Sequence, residues 1–332
     1  MAFPLLDALI IGAGPAGLSV ATGLARQLHT AVVFNTGTFR NSKAKHMHNV
    51  AGWDHRNAAD FRAVARQDLL ARYSTIHFQD IGIDTIQKLP TGHFEAKDTS
   101  GKTWRGRKVV IATGVKDIYP DIDGYADCWA DGIFHCLFCD GYEERGAKSA
   151  GVLATGLLRD AHRAIHVARM AKRLANTVTI YTNGDQDIAS SLQNVVHHDN
   201  YKIEPRPLAR LEKGSLGSLV KIHFQDCTST EEGFLVGDLL SDCVYLIVNL
   251  FLKAHAPKYI IDNTFIQQLG LRTVPSGDIE VSEPFNETSV PGVFAAGDCA
   301  VLLKSVTQAI SMGTAVAGGI ASQVQADMDN EA

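Results

Sequence analysis

No run of lysine and arginine appears in this 332-residue chain, and 31 Lys+Arg against 36 Asp+Glu leave a formal net charge of −5. The basic footprint of a nucleic-acid binder is absent, which excludes that class of partner. Long apolar runs are absent too. The most apolar later stretch, Cys243 to Leu252, is far shorter than the roughly 20 residues that cross a bilayer. The apolar start, Leu5 to Ile11, lacks a basic leading region and runs straight into Gly12-Ala13-Gly14, so it reads as a buried strand and not a secretion signal. The expectation is a soluble cytoplasmic protein with no membrane partner. Cysteine is scarce at six residues, which excludes a disulfide scaffold. Cys128, Cys227, Cys243 and Cys299 sit singly and read as unreactive packing residues.

What is present is an ordinary globular composition, 45% hydrophobic and 20% charged, long enough for two domains at about 150 residues each. Residues 5–35 read as strand, glycine turn, helix and strand, a βαβ opening. Asn57 to Tyr73 carries Phe61, Val64, Ala65, Leu69 and Tyr73 at helical spacing on one side. Lys108 to Ala112 reads as a short buried strand ending in Thr113-Gly114. A second strand-turn-helix starts at Gly151, with a helix from Asp160 to Ala175 and a strand from Val178 to Tyr181. A last buried strand, Gly292 to Ala296, enters Gly297-Asp298, and a small-residue helix runs from Val306 to Ile320. The fold class is α/β, with two Rossmann-like three-layer domains. One is discontinuous, residues 1–118 and 254–332, and the other, residues 119–253, is inserted in it.

Gly12-x-Gly14-x-x-Gly17 lies between a strand and a helix, the setting the dinucleotide fingerprint requires. Its glycines permit a tight turn, close approach of a pyrophosphate and helix-strand packing, and the helix N-terminus offers N–H groups and positive dipole. The end of the second strand, usually acidic to hold ribose hydroxyls, is Asn35, whose amide can still hydrogen-bond them. Asp298, at a strand end after Gly297, can reach a polyol hydroxyl of the kind FAD carries and NAD lacks. With Ala112-Thr113-Gly114 as a further crossing strand, the set points to FAD.

Cys136-Leu137-Phe138-Cys139 is a C-x-x-C in a chain of cytosolic character, where such a pair reads as redox or metal chemistry. A closed zinc site needs two further ligands, and no second C-x-x-C follows, which favours redox. Asp140, adjacent to the pair, is a general acid/base if burial raises its pKa, or a helix N-cap. His46 and His48 form an H-x-H with no neighbouring carboxylate or third histidine in sequence, so no metal site is expected there.

The inserted unit reads as a nicotinamide domain that cannot bind nicotinamide. Its turn is Thr155-Gly156-Leu157-Leu158-Arg159-Asp160, with Leu157 where a pyrophosphate needs glycine. Thr182-Asn183-Gly184-Asp185, after the next strand, offers no arginine for the 2′-phosphate of NADP.

These residues resemble the thioredoxin reductase-like flavoprotein disulfide oxidoreductases, and more closely the fungal gliotoxin-type FAD-dependent dithiol oxidases. The resemblance runs from Asp7-Ala8-Leu9-Ile10-Ile11-Gly12 through His46-Met47-His48-Asn49-Val50 and Cys136 to Gly146, and on to Gly297-Asp298-Cys299. It implies a homodimer with one FAD per subunit and a redox disulfide over the flavin. Gly12, Ala13, Gly14, Pro15 and Ala16 would contact FAD, as would the stretch from Asn35 and Thr36 to Arg40. His48 with Asn49, Ala112 with Thr113, Gly297 with Asp298, and the turn Thr307-Gln308 complete the implied set. Cys136 would be the outer sulfur attacked by substrate and Cys139 the inner one.

The resemblance fails at Gly237 to Lys253, where the family has a short polar connection and this chain is long and apolar. That stretch reads either as an extra strand or as translated intron sequence. The implied activity is oxidation of a small-molecule dithiol of the epipolythiodioxopiperazine type to its disulfide, with O₂ as acceptor. An NADPH-dependent thioredoxin reductase and a flavin-binding protein without turnover are the alternatives.

Overall fold

The first strand, β1 (Leu6–Ile11), is buried along its whole length, as a parallel strand covered on both faces must be. Its one charged residue, Asp7, is satisfied inside the fold: Oδ2 accepts from the Thr30 backbone N–H at 2.9 Å and meets His29 Nδ1 at 3.3 Å. In the computed structural model, which describes residues 4–196, 200–237 and 259–331, the chain divides into two compact units. The first comprises residues 1–42, 57–116 and 260–332, and the second residues 43–56 and 117–259.

In the first unit, α1 (Pro15–Arg26) follows β1, with Pro15 in its first turn, where a missing N–H costs nothing. Leu18, Val20, Ala21 and Leu24 bury its inner face. β2 (Ala31–Phe34) returns parallel to β1. α2 (Ala58–Arg72) starts where the Asn57 side chain accepts from Ala59 N–H. Of its expected apolar side, Leu69 is buried and Val64 exposed, so the helix seats on a narrower strip than the periodicity implies. β3 (Ile76–Gln79) pairs with β2. β4 (Ile83–Lys88) and β5 (Phe94–Asp98) form an antiparallel pair, and β5 continues onto β6 (Thr103–Ile111). The first half of β6 alternates exposed and buried residues, whereas the second half is buried between other strands. The strand therefore begins before Lys108, where apolar continuity alone would start it.

The chain enters the second unit at β7 (Lys116–Asp117), followed by α3 (Tyr125–Cys128), β8 (Ile133–Phe134) and α4 (Leu137–Asp140). β9 (Ala147–Leu153), α5 (Ala161–Lys172) and β10 (Ala175–Tyr181) make its βαβ unit. Asp160 is the N-cap of α5, accepting from Arg163 N–H, and Ala175 opens the strand instead of ending the helix. α6 (Gln186–Gln193) leads to β11 (Tyr201–Glu204). β12 (Leu208–Lys213), β13 (Val220–Phe224) and β14 (Ser229–Glu232) form a separate antiparallel sheet. β15 (Leu235–Val236) completes the parallel sheet, ordered β11-β10-β9-β15-β8. Val152, Ile165, Ile180, Leu158 and Phe234 share its core.

The chain leaves through β16 (Tyr259–Ile260) and α7 (Asn263–Leu269). β17 (Val281–Ser282), β18 (Glu287–Thr288) and β19 (Val293–Ala295) then join the first sheet, which runs β17-β18-β19-β6-β1-β2-β3. α8 (Val306–Glu331) extends past Ile320, where the small-residue pattern stops.

Lys43–Arg56 belongs to the second unit, not to the first domain as sequence order suggests. Its ends meet through Met47 N–H donating to Arg56 O at 2.7 Å. The chain therefore passes between units four times. Cys128 and Cys299 are buried, and burial pushes both thiols up to about 11. Cys227 is exposed, which corrects its reading as a packing residue: it sits in a turn with φ +67°, outside either core. Cys243, and all of Gly237 to Lys253 after Gly237 itself, lie outside the described residues.

Candidate active site

The glycine turn after β1 is shaped by contacts that no side chain could share. A Cβ on Gly12, at φ +119°, would stand 2.2 Å from Ala112 O, and one on Gly17 would stand 1.9 Å from Gly12 O. Gly14, the N-cap of α1, faces open space within 4 Å. Ala13, Pro15 and Ala16 complete the turn, with Ala13 and Ala16 buried. Beside it, Ala112 N–H donates to Ile11 O at 2.9 Å, and Thr113 Oγ1 is buried without a hydrogen-bond partner among the described residues.

Asn35 ends β2 with its amide already engaged. Its Nδ2 donates to Asp80 Oδ1 at 2.8 Å, and its Oδ1 accepts from Gly37 N–H at 3.0 Å. Arg66 holds the same Asp80 with a two-pronged pair at 2.7 and 2.8 Å. Hydrogen bonds from Arg66 and Asn35 lower the Asp80 pKa to about 2. The acidic group absent at position 35 is thus supplied one strand over, as a ligand of Asn35. Thr36 is exposed beside it, its Oγ1 accepting from Thr38 N–H at 3.4 Å.

Against the same glycine turn, where a Cβ on Gly297 would stand 3.0 Å from Ala16 Cβ, Gly297 takes φ +82° and sets Asp298 just past β19. Arg40 Nη1 donates to Asp298 Oδ2 at 2.8 Å. The backbone there is pinned by Lys304, whose ammonium donates to Asp298 O at 2.8 Å and Val301 O at 2.6 Å and pairs with Asp278 at 2.8 Å. Ser305 Oγ accepts from Gln308 N–H at 3.1 Å and meets Thr307 Oγ1 at 3.1 Å, capping α8 where both expected turn residues lie. The sequence-expected residues of the first unit thus gather at the strand ends around the start of α1.

In the second unit, Cys136 and Cys139 are joined as a disulfide across the first turn of α4. Cys136 is the N-cap, its Sγ accepting from Cys139 N–H at 3.1 Å, and Asp140 closes the helix. The N-cap reading of Asp140 is thereby corrected, because the cysteine three residues upstream of Cys139 fills that place. Burial pushes the Asp140 carboxyl up to about 6, opposed by the charge of His48. Cys136 is 6% exposed whereas Cys139 is partly exposed, the reverse of the access that outer and inner roles require. Phe138 and Tyr142 beside the pair stand 63% and 69% exposed, an apolar rim on a redox centre.

His48 and Asn49 belong to this second unit, whereas the other residues expected at the flavin belong to the first. Asn49, at φ +60°, donates from Nδ2 to Phe138 O at 2.9 Å, tying its loop to the redox turn. The H-x-H is not isolated, as its sequence surroundings suggested. His55 and Glu143 come to it, with His48 Nε2 at 3.0 Å from His55 Nδ1 and at 3.4 Å from Glu143 Oε1. His46 stacks on His55 with ring centroids 4.1 Å apart. Nothing in the sequence flags His55 or Glu143.

The strand-end turn of the inserted unit folds as a short 3₁₀ helix, Gly156–Leu158, with Leu157 and Leu158 buried. Arg159 pairs with Asp185, which also caps α6 by accepting from Asp187 and Ile188 N–H. Asn183 Oδ1 accepts from Leu208 N–H at 2.8 Å.

Two nucleotide-binding-type α/β units, one with the glycine fingerprint and one with its turn filled by leucine, and a C-x-x-C disulfide on the second are the parts of a flavin disulfide oxidoreductase. The chain belongs to the family described as Pyridine nucleotide-disulphide oxidoreductase, whose profile matches residues 6–185 and 259–313. It is 44% identical to "Thioredoxin reductase aclD" of Aspergillus oryzae, over 98% of this chain and 99% of that one. It is 39% identical to "Thioredoxin reductase sirT" of Leptosphaeria maculans, over 98% and 96%. Among solved structures, a putative thioredoxin reductase TrxB from Bacillus anthracis superposes with a TM-score of 0.81 at 23% identity, covering 97% of this chain and 99% of that one, and shares the fold. The protein is an FAD-dependent disulfide oxidoreductase of the thioredoxin reductase-like class. None of the described helices is long and apolar enough to cross a membrane.

Proposed function

We propose that the protein oxidises a small-molecule dithiol of the epipolythiodioxopiperazine type to its intramolecular disulfide. The observation that carries this reading is the inserted unit's turn, where buried Leu157 and Leu158 take the place of close glycine approach and Asp185 neutralises Arg159. A pyrophosphate there lacks backbone donors, and a 2′-phosphate lacks a free guanidinium. Two such losses of about 2 kcal/mol each weaken NADPH binding roughly a thousandfold. Electrons then enter through substrate thiols.

In the exchange, one substrate thiolate attacks a sulfur of the Cys136–Cys139 disulfide and forms a mixed disulfide. The second substrate thiolate attacks that bond, closes the substrate disulfide and leaves both protein cysteines reduced. Two electrons and two protons have passed from substrate to the pair. Asp140 takes the thiol proton in this scheme, and the exposed Phe138 and Tyr142 present an apolar surface to a small organic substrate. FAD, when bound, supplies a two-electron relay from the dithiol to O₂, giving hydrogen peroxide.

The turn Gly12 to Gly17 fits a pyrophosphate, with open space at Gly14 and the α1 N-terminus behind it. Buried, unpartnered Thr113 Oγ1 waits for a ligand atom. Asp298 with Arg40 suits the ribityl chain, and Asn35 the ribose. A homodimer and a cytoplasmic setting belong to the same reading.

A second reading, NADPH-dependent reduction of a thioredoxin, is favoured by what the relatives are called. Anaerobic stopped-flow mixing separates the two. Bleaching of the flavin by a dithiol but not by NADPH, with one hydrogen peroxide formed per dithiol in air, supports the oxidase. Equal bleaching by NADPH assigns the reductase instead.

A further inference from the structure

The three groups that meet above the redox turn have the dimensions of a metal site. His48 Nε2, His55 Nδ1 and Glu143 Oε1 form a triangle with edges of 3.0, 3.4 and 3.5 Å. Zinc bonds of 2.0–2.2 Å to nitrogen and oxygen, spread tetrahedrally, set ligand atoms about 3.3 to 3.4 Å apart. The two edges to the carboxylate are long for N–H···O hydrogen bonds, whose usual range ends near 3.2 Å, and match ligands of a shared ion, whereas the 3.0 Å His48–His55 edge is a hydrogen bond that an ion would replace by spreading the two nitrogens slightly. All three groups belong to the second unit, and their loops are joined by the Asn49 to Phe138 hydrogen bond at 2.9 Å. His55 is 57% exposed in its side chain, so an ion can enter from water.

We propose that His48, His55 and Glu143 bind one divalent transition ion of the zinc class. Two imidazoles and one carboxylate are the donor set such ions take, and three protein ligands leave a fourth position for water or an incoming thiolate. His46, although half of the visible H-x-H, is not a ligand, because it stacks on the His55 ring and its nitrogens lie outside the triad.

The test uses the full-length FAD-loaded protein with Cys136–Cys139 oxidised and Cys227→Ser and Cys243→Ser in place, so that no thiol outside the buried Cys128 and Cys299 competes for the ion. Zinc sulfate is titrated calorimetrically. The expected result is one ion per chain with micromolar or tighter affinity, weakened at least tenfold by His55→Ala and by Glu143→Gln, and less than threefold by His46→Ala. The flavin spectrum confirms that each variant is folded. X-ray absorption on the zinc-loaded protein is expected to show nitrogen and oxygen ligands at about 2.0 to 2.2 Å and no sulfur near 2.3 Å. The absence of binding, affinity unchanged from the parent protein in His55→Ala or in Glu143→Gln, loss in His46→Ala as large as in His55→Ala, or a sulfur ligand would each overturn the assignment.

Discussion

Arg40 and Asp298, 258 positions apart in sequence, meet at 2.8 Å with both side chains largely buried. The pair fastens the loop after β2 to the end of β19, the two strand ends that flank the glycine turn. A charge-assisted hydrogen bond of this kind contributes about 1.5 to 3 kcal/mol. Arg40→Ala is therefore expected to raise the FAD dissociation constant roughly ten- to a hundredfold. Flavin released on desalting, read from the ratio of visible to ultraviolet absorbance, checks it; full retention would remove the pair from the cofactor site.

Cys136→Ser and Cys139→Ser are each expected to abolish dithiol oxidation while the flavin stays bound. The roles implied by family resemblance go further. With Cys139 replaced, the Cys136 thiol should attack a substrate disulfide and hold it as a mixed disulfide, visible as an added mass. Trapping in the Cys136→Ser variant instead would assign attack to the more exposed Cys139.

The Asp140 carboxyl is raised from 3.8 to about 6 by burial. It is thus mostly protonated at pH 5 and ionised at pH 7. As the base for a substrate thiol, it makes the rate of flavin reduction by dithiol rise through pH 6 and then level off. Asp140→Asn should remove that limb and lower the rate by about 10² to 10⁴. The sign for stability is opposite. A carboxyl easier to protonate when folded favours the native state at low pH, and that advantage is lost as pH rises through 6. Rate against pH from 4.5 to 8 in both proteins decides it; parallel profiles would exclude Asp140 as the base.

Lys304 and Asp278 are paired almost out of solvent, with side chains 1% and 3% exposed. Lys304→Met leaves Asp278 a buried charge without its cation, at a cost of about 3 to 5 kcal/mol. It also frees the Asp298 carbonyl. The variant should show a lower denaturation midpoint together with weaker flavin retention, measured by chemical unfolding and desalting. Unchanged stability would mean that the ion pair is replaceable by apolar packing.

Local pattern carried the parts of this molecule whose physics is local. The apolar run of β1 entering Gly12-Ala13-Gly14-Pro15-Ala16-Gly17 makes a nucleotide-binding opening legible, Asp298 and Ala112-Thr113-Gly114 added to it point to FAD, and the family is legible as a resemblance over the whole chain. The polar half of β6 was hidden because Thr103 to Arg107 faces water on alternate residues and carries no continuous apolar signal. Lys43–Arg56 could not be assigned, since its tie to the redox turn spans 89 positions. Glu143 was invisible for the same reason. His55 lies only seven residues past His48, yet it stands at no standard ligand spacing from the H-x-H, and only the fold of the loop turns its ring to His48.

The four passages of the chain between its units have a consequence for synthesis. The first 42 residues include β1, α1 and β2, but their sheet also needs β19, which emerges after residue 290. Residues 43–56 likewise wait for residues 117–259. At about 5 to 20 residues per second, the opening βαβ stands incomplete on the ribosome for roughly a quarter of a minute to a minute. The second unit, begun later, has all of its residues by 259, whereas the first waits for its last segment, residues 260–332. A stop codon anywhere before β19 therefore leaves the first sheet without the strand that covers β6, and such products are substrates for chaperones and proteases, not partly working enzymes.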